Sequence, residues 1–204
     1  VYLWLSHLKE LLPFPVHVVQ SHHGKLSDNL TKGDHSQIPA FFLENGKPTI
    51  GKRQCTNHWK VRPVRKKCRQ LSRGGPVILW QGISTDEVSR CKDSGAIWLT
   101  HRFPLIETRM NRRECVKWLL AHGIAEPPKS ACCYCPYRGD DQWRKSKSDP
   151  MEWALIKRVD AMLNARGEFL HPSCKPIADV DLATEEERGQ LNMFNNECSG
   201  HCGV

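Results

Sequence analysis

No run of apolar residues in this sequence reaches the length needed to cross a bilayer, which excludes a helical membrane span and a membrane partner of that kind. No segment has the charged start, apolar middle and small-residue cleavage site of a secretory leader, so a reducing, cytoplasmic setting is expected. No internal repeat or low-complexity tract is present, which sets solenoid and array architectures aside. An initiating methionine is missing too. The chain starts at Val1, inside what reads as a helix, and is expected to lack an N-terminal piece. Acid is absent from one long stretch: between Gly51 and Arg73 stand Lys52, Arg53, Lys60, Arg62, Arg65, Lys66, Lys67, Arg69 and Arg73, with no Asp or Glu among them.

What is present is enough for one well-packed domain with a small appendage: 204 residues, 39% hydrophobic and 25% charged, with a formal net charge of +8. A positive balance favours anionic partners such as nucleotides, nucleic acid, sulfate or phosphate groups, although a merely solvated basic surface fits as well. Ten cysteines are many for this length. Without a leader they point to metal-bound thiolates rather than to a disulfide scaffold. The strongest cluster is Cys132-x-x-Cys135, followed by Pro136, where a tight turn can bring two sulfurs to one side for zinc or an iron–sulfur centre. Cys55 and the tail cysteines Cys198 and Cys202 are candidate partners. Cys68, Cys91, Cys115 and Cys174 are isolated and read as small buried hydrophobes.

Taken in order, Val1, Leu5, Leu8 and Leu12 make a helical stripe stopped by Pro13, and Val16–Val19 reads as a short buried strand. Residues 21–38 read as a loop whose adjacent His22 and His23 should point apart. Asn45-Gly46 between apolar flanks signals a hairpin over 41–50. After Thr56 as N-cap a helix is expected to about Leu71, with Pro63 as an irregularity; its clustered charge beside Cys55 would attract a phosphate or sulfate, bind nucleic acid, or simply be solvated. Val77–Gln81 reads as a buried strand ending at Gly82, and Ile97–Thr100 as another. Residues 82–87 therefore sit where ligands of open α/β sheets bind, with Gly82 allowing close backbone approach or serving as an ordinary turn. Asn111-x-x-Glu114 is a capping box for a helix to His122, with Cys115, Trp118 and Leu119 inward. Asp149-Pro150 opens a helix to about Arg166 with Met151, Leu155, Val159 and Met162 inward, and a short helix is expected over Thr184–Leu191.

With these motifs in sequence order, the chain resembles the phosphoadenylyl-sulfate (PAPS) reductase family of the adenine nucleotide α-hydrolase, or PP-loop, superfamily. Cys55 with Lys60, Pro63 and Val64 is similar to C-C-x-x-R-K-x-x-P-L. Gly82-Ile83 with Glu87 is similar to G-[IL]-R-x-x-[EQ]-S. Pro104-Leu105, a helix and then Cys132-x-x-Cys135 follow the family's P-L-x-x-W, helix, C-x-x-C succession. Glu197-Cys198 with His201 is similar to E-C-G-[IL]-H. The resemblance covers most of residues 1–140 and the last eight residues. It implies an α/β fold of three layers, a mostly parallel sheet flanked by helices, over 1–140, with a helical, cysteine-tailed extension over 141–204. It also implies a site for an adenine nucleotide, ATP or PAPS, involving Gly82, Ile83, Glu87, Lys60 and Arg62.

The departures from the family pattern are specific. The S-G-G-x-D-S phosphate loop is absent and would lie upstream of Val1; Thr56, Trp59 and Ser84 stand where the family has cysteine, arginine and arginine. Cys55, Cys132 and Cys135 match three of the four ligands of a family [4Fe–4S] centre. Cys133, Cys198 or Cys202 could supply the fourth; structural zinc and free thiols fit the same spacing. Cys198 beside His201 matches the family nucleophile, and Cys198 with Cys202 equally reads as a ligand pair. Three functions follow as expectations: an enzyme that reduces an adenylyl sulfate, with a thiol carrier as partner, or transfers sulfur through a cluster; a zinc-stapled, non-catalytic nucleic-acid-binding module; or an inactive fragment of the enzyme.

Overall fold

The computed structural model describes residues 2–31, 36–127, 131–184 and 187. In chain order its named elements are α1 (Tyr2–Leu11), β1 (Phe41–Glu44), β2 (Lys47–Ile50), α2 (Arg62–Leu71), β3 (Val77–Trp80), β4 (Leu99–Arg102), α3 (Pro104–Glu107), α4 (Arg112–Ala121), α5 (Asp140–Lys147) and α6 (Pro150–Asn164). Helices and two small sheets make this a mixed α and β chain. It divides into two compact units: residues up to Asn29 together with Gln54–Ala131, and Leu30–Arg53 together with the chain from Cys132 onward. The two units interleave along the chain.

In the first unit β3 and β4 pair in parallel, with Val77 opposite Leu99 and Trp80 opposite Arg102. Parallel strands need a crossover, and here residues 81–98 supply it through a 3₁₀ turn at Thr85–Arg90. Leu99 is buried, whereas Ile78 and Trp80 are 63% and 65% exposed, so β3 is covered on one face and not the fully buried strand its sequence suggests. The expected strand over Val16–Val19 does not form: the segment has no regular secondary structure, and Val18 is exposed. The prolines at 13 and 15 end α1 as expected, but no residue of that helix is buried.

The helix after Cys55 begins irregularly for a definite reason. Pro63 has no N–H to give, and its ring would strike the carbonyl four residues back, at Trp59. The backbone widens instead into a π turn over Asn57–Val61, with the Arg62 N–H bonding to the Asn57 carbonyl. Pro63 then lies buried at the start of α2. Further on, the capping box of α4 forms as the sequence predicts, with Glu114 N–H donating to Asn111 Oδ1 at 2.9 Å and Asn111 N–H to Glu114 Oε2 at 2.7 Å. Trp118 does not face inward. It is half exposed and stacks on His122, ring centroids 3.8 Å apart.

The second unit holds most of the enclosed apolar side chains. Trp143, Ile156, Val159, Leu163 and Leu170 are fully buried, and Ile177 nearly so. β1 and β2 form the predicted hairpin, Asn45 and Gly46 both taking positive φ, as a two-residue type I′ connection requires. Gly139 leads into α5, an element the sequence reading passed over, and Asp149 caps α6 by accepting from Met151 and Glu152 N–H at 3.0 and 3.1 Å. The buried stripe of α6 is Ile156, Val159, Asp160 and Leu163; of the four residues expected to face inward Val159 is buried, Leu155 and Met162 are half-buried, and Met151 is 86% exposed. The stripe is rotated because it contains an acid. Asp160 is buried and accepts from Asn164 Nδ2 at 2.9 Å, Leu170 N–H at 3.4 Å and Ile177 N–H at 2.7 Å.

Candidate functional site

The first unit contains a pocket of about 320 Å³ beside the parallel pair, at the low end of the range for small-ligand sites, about 300–1,000 Å³. The π turn and the first turn of α2 supply Lys60, Val61, Val64 and Arg65, β3 supplies Leu79 with Gln81 after it, and β4 supplies His101. The apolar floor comes from Val61, Val64 and Leu79. Among the described residues two cations and no acid line it. Its place near the carboxyl end of parallel strands is where open α/β sheets bind ligands. Of the residues expected to hold a nucleotide, this pocket includes Lys60.

The others lie apart from its lining. Arg62 is exposed on α2. Glu87 is ion-paired with Arg90. Ile83 is buried, as is Ser84, whose hydroxyl donates to Asp86 Oδ2 at 3.3 Å. The same Asp86 oxygen accepts the Arg112 N–H, so the segment after β3 is tied to the start of α4. Gly82 has open space around its missing side chain and no positive φ, so neither space nor backbone demands glycine there.

The cysteine turn lies in the second unit. Cys135 N–H donates to the Cys132 carbonyl at 3.1 Å and Arg138 N–H to the Cys135 carbonyl at 3.1 Å, closing two successive tight turns. Cys132 is exposed, and Cys133 and Cys135 are half-buried. Burial first, then the Glu152 carboxylate, pushes the Cys133 thiol up from its ordinary value, with Arg138 acting the other way. Cys132 and Cys135 therefore fit donation of two thiolates from one turn, as a thiolate-bound metal or cluster requires, while Cys133 is suited to staying protonated. Cys55, half-buried, belongs to the first unit. Cys198, His201 and Cys202 lie outside the described residues. Among the described residues no three His, Cys, Asp or Glu side chains form a metal-holding group.

The isolated cysteines are half-buried, not buried. In the first unit few apolar side chains are fully enclosed, which leaves Cys68, Cys91 and Cys115 partly open; Cys174 sits at positive φ in a surface turn. Two polar groupings escaped sequence reading. His22 and His23 do not point apart. Ser21 accepts the Gly24 N–H at its carbonyl and the His23 N–H at its hydroxyl, and this turn brings the two rings to 3.8 Å between centroids, with His58 and Trp59 next to His23. In the second unit His171 bridges Asp140 (Nε2 to Oδ1, 3.1 Å) and Ser173 (Nδ1 to Oγ, 2.8 Å). Its Nδ1 also accepts the Ser173 N–H at 3.1 Å, so the one ring lone pair is committed locally and the histidine acts as a tie. Neither grouping has a sequence signal, because each depends on residues brought together by turns.

Comparison of the chain with protein-family models, with curated proteins and with solved structures found no match.

Proposed function

We propose that this chain is a PAPS reductase-like protein that binds an adenine nucleotide beside β3 and β4 and uses its cysteines for sulfur chemistry, reduction of an adenylyl sulfate or cluster-dependent sulfur transfer. The observation that carries the reading is the pocket in which Lys60, from the Cys55 motif, meets Gln81, the residue before Gly82-Ile83. Lys60 and Val64 of the Cys55 motif thus border a ligand-sized space together with the residue that precedes the second motif. The proposed architecture is the three-layer, mostly parallel sheet of that superfamily, with β3–β4 as part of it. Cys55, Cys132 and Cys135, with Cys202 as the fourth ligand, would hold a [4Fe–4S] centre, or zinc in its place. In the reductase form the Cys198 thiolate, next to His201, attacks the sulfonate sulfur. The bond from sulfur to the nucleotide oxygen breaks, and a thiol carrier such as thioredoxin supplies the two electrons that release sulfite. Incubation of anaerobically prepared protein with ATP or an adenylyl sulfate and a dithiol tests this. AMP-type product with sulfite, or labelled sulfur in an acceptor, is expected, and inertness toward all of these nucleotides would overturn it.

A second reading, a zinc-stapled nucleic-acid-binding module, draws on the basic run from Lys52 to Arg73. Zinc without sulfide and binding that weakens steeply with salt would favour it.

A further inference from the structure

The pocket beside β3 and β4 is bordered by two polar side chains that the motif comparison does not include, Arg65 and His101, and one loop fixes both. The carbonyl of Ser94 accepts from Arg65 Nη2, and the carbonyl of Lys92 is 2.8 Å from His101 Nδ1. A carbonyl can only accept, so Nδ1 carries the proton of that bond and Nε2 is the nitrogen left for a ligand. The loop itself is held by the Ser94 hydroxyl, which donates to the Ala96 carbonyl at 3.0 Å and accepts the Ala96 N–H at 3.0 Å. Arg65 spends one of its five N–H donors on Ser94, and the others remain for an anion. Lys60, exposed on the π turn, adds a second positive charge, and no acid lines the space. Val61, Val64 and Leu79 offer an apolar surface next to these polar groups.

We propose that this pocket takes the tetrahedral oxyanion of a nucleotide, a phosphate or sulfate ester, with Lys60 and Arg65 as its counter-charges and His101 Nε2 as its hydrogen-bonding partner. The proposal rests on the adenine-nucleotide reading above and adds to it the residues that recognise the anionic group. The complementarity is chemical: two cations and an oriented imidazole around an apolar floor suit a small molecule with an anionic end and a flat or aliphatic remainder. The volume suits one such molecule and not a polymer.

The test is calorimetric titration of the full chain with AMP, adenosine and inorganic phosphate or sulfate, repeated on Lys60→Gln, His101→Gln and His101→Ala. Circular dichroism confirms that each variant is folded; Lys60 is exposed, so its variant keeps the test decisive if a histidine variant unfolds. AMP is expected to bind at least about tenfold more tightly than adenosine, and Lys60→Gln and His101→Ala are each expected to weaken AMP by roughly five- to tenfold, one charge-assisted contact each. The ¹⁵N signal of His101 Nε2 should move on adding AMP while Nδ1 stays. If the wild-type chain binds AMP and these variants bind it equally well, the anion assignment is overturned while the nucleotide reading stands. If the wild-type chain binds no adenine nucleotide, the nucleotide reading fails, and binding of inorganic anion alone would then leave an oxyanion site that is not the one proposed.

Discussion

The guanidinium of Arg138 donates to the backbone carbonyl of Cys133, and through this bond the cysteine turn is held to α5 and α6. The same side chain reaches the Gln142 carbonyl at 2.8 Å, the Ser146 hydroxyl and the Glu152 carboxylate at 3.4 Å, and lies 5.1 Å from the centre of the Trp143 ring. Replacing it removes several contacts and leaves Glu152 with the Ser146 hydroxyl as its remaining side-chain partner. Arg138→Ala is expected to lower stability by about 1.5–3 kcal/mol, the cost of lost hydrogen bonds to a charged group. Urea unfolding reads that change, and alkylation of Cys133 in the folded chain should speed up. An unchanged midpoint with unchanged labelling would show that the turn holds itself.

Cys133 and Cys174 both have thiols pushed up by burial, so the folded chain keeps protons that the unfolded chain releases. Their contribution to stability is complete below the ordinary thiol value of about 8.5 and is lost as pH rises through the higher folded values. Urea midpoints from pH 7 to 10 should fall on the alkaline side, and Cys133→Ser combined with Cys174→Ser should flatten that fall. At pH 8, iodoacetamide should label Cys132 before Cys133. The reverse order would contradict the burial assigned to Cys133.

Much of the local structure was legible because it follows from short-range chemistry. Asn45-Gly46 can take the two positive φ values that a tight hairpin needs, and Asn111-x-x-Glu114 has the two side chains that satisfy each other's backbone. Pro63 announced an irregularity but not its form, since a π turn and a broken helix relieve the same clash. The buried face of α6 is not legible in the sequence, because Asp160 counts as polar in any periodicity, yet it is buried by accepting backbone N–H groups from residues 170 and 177, which no local pattern shows. The candidate pocket was half legible. Lys60 was named from its motif and charge. Arg65 and His101 became visible only once the Lys92–Ser94 loop was seen to hold them both.

The carboxylate of Asp160 is the polar centre of the second unit's core, 3% exposed. Asp160→Ala would leave two backbone amides and Asn164 without their acceptor. At about 1–3 kcal/mol for each of the two buried backbone amides left unsatisfied, a loss of roughly 2–6 kcal/mol is expected. Asp160→Asn, which retains an acceptor oxygen, should lose less. Chemical denaturation of the two variants checks the order, and equal losses would mean that side-chain charge, not hydrogen bonding, is what the core requires.

As proposed above, thiolates from residues 55, 132 and 135 would serve one inorganic centre in a nucleotide-dependent sulfur enzyme. Iron and acid-labile sulfide per chain, measured on anaerobically purified protein and on its Cys55→Ser and Cys132→Ser variants, address it most directly. About four of each are expected in the parent chain, as a [4Fe–4S] centre requires, with a large loss in both variants. Protein that carries neither iron nor sulfide, with all its thiols titratable, would contradict it.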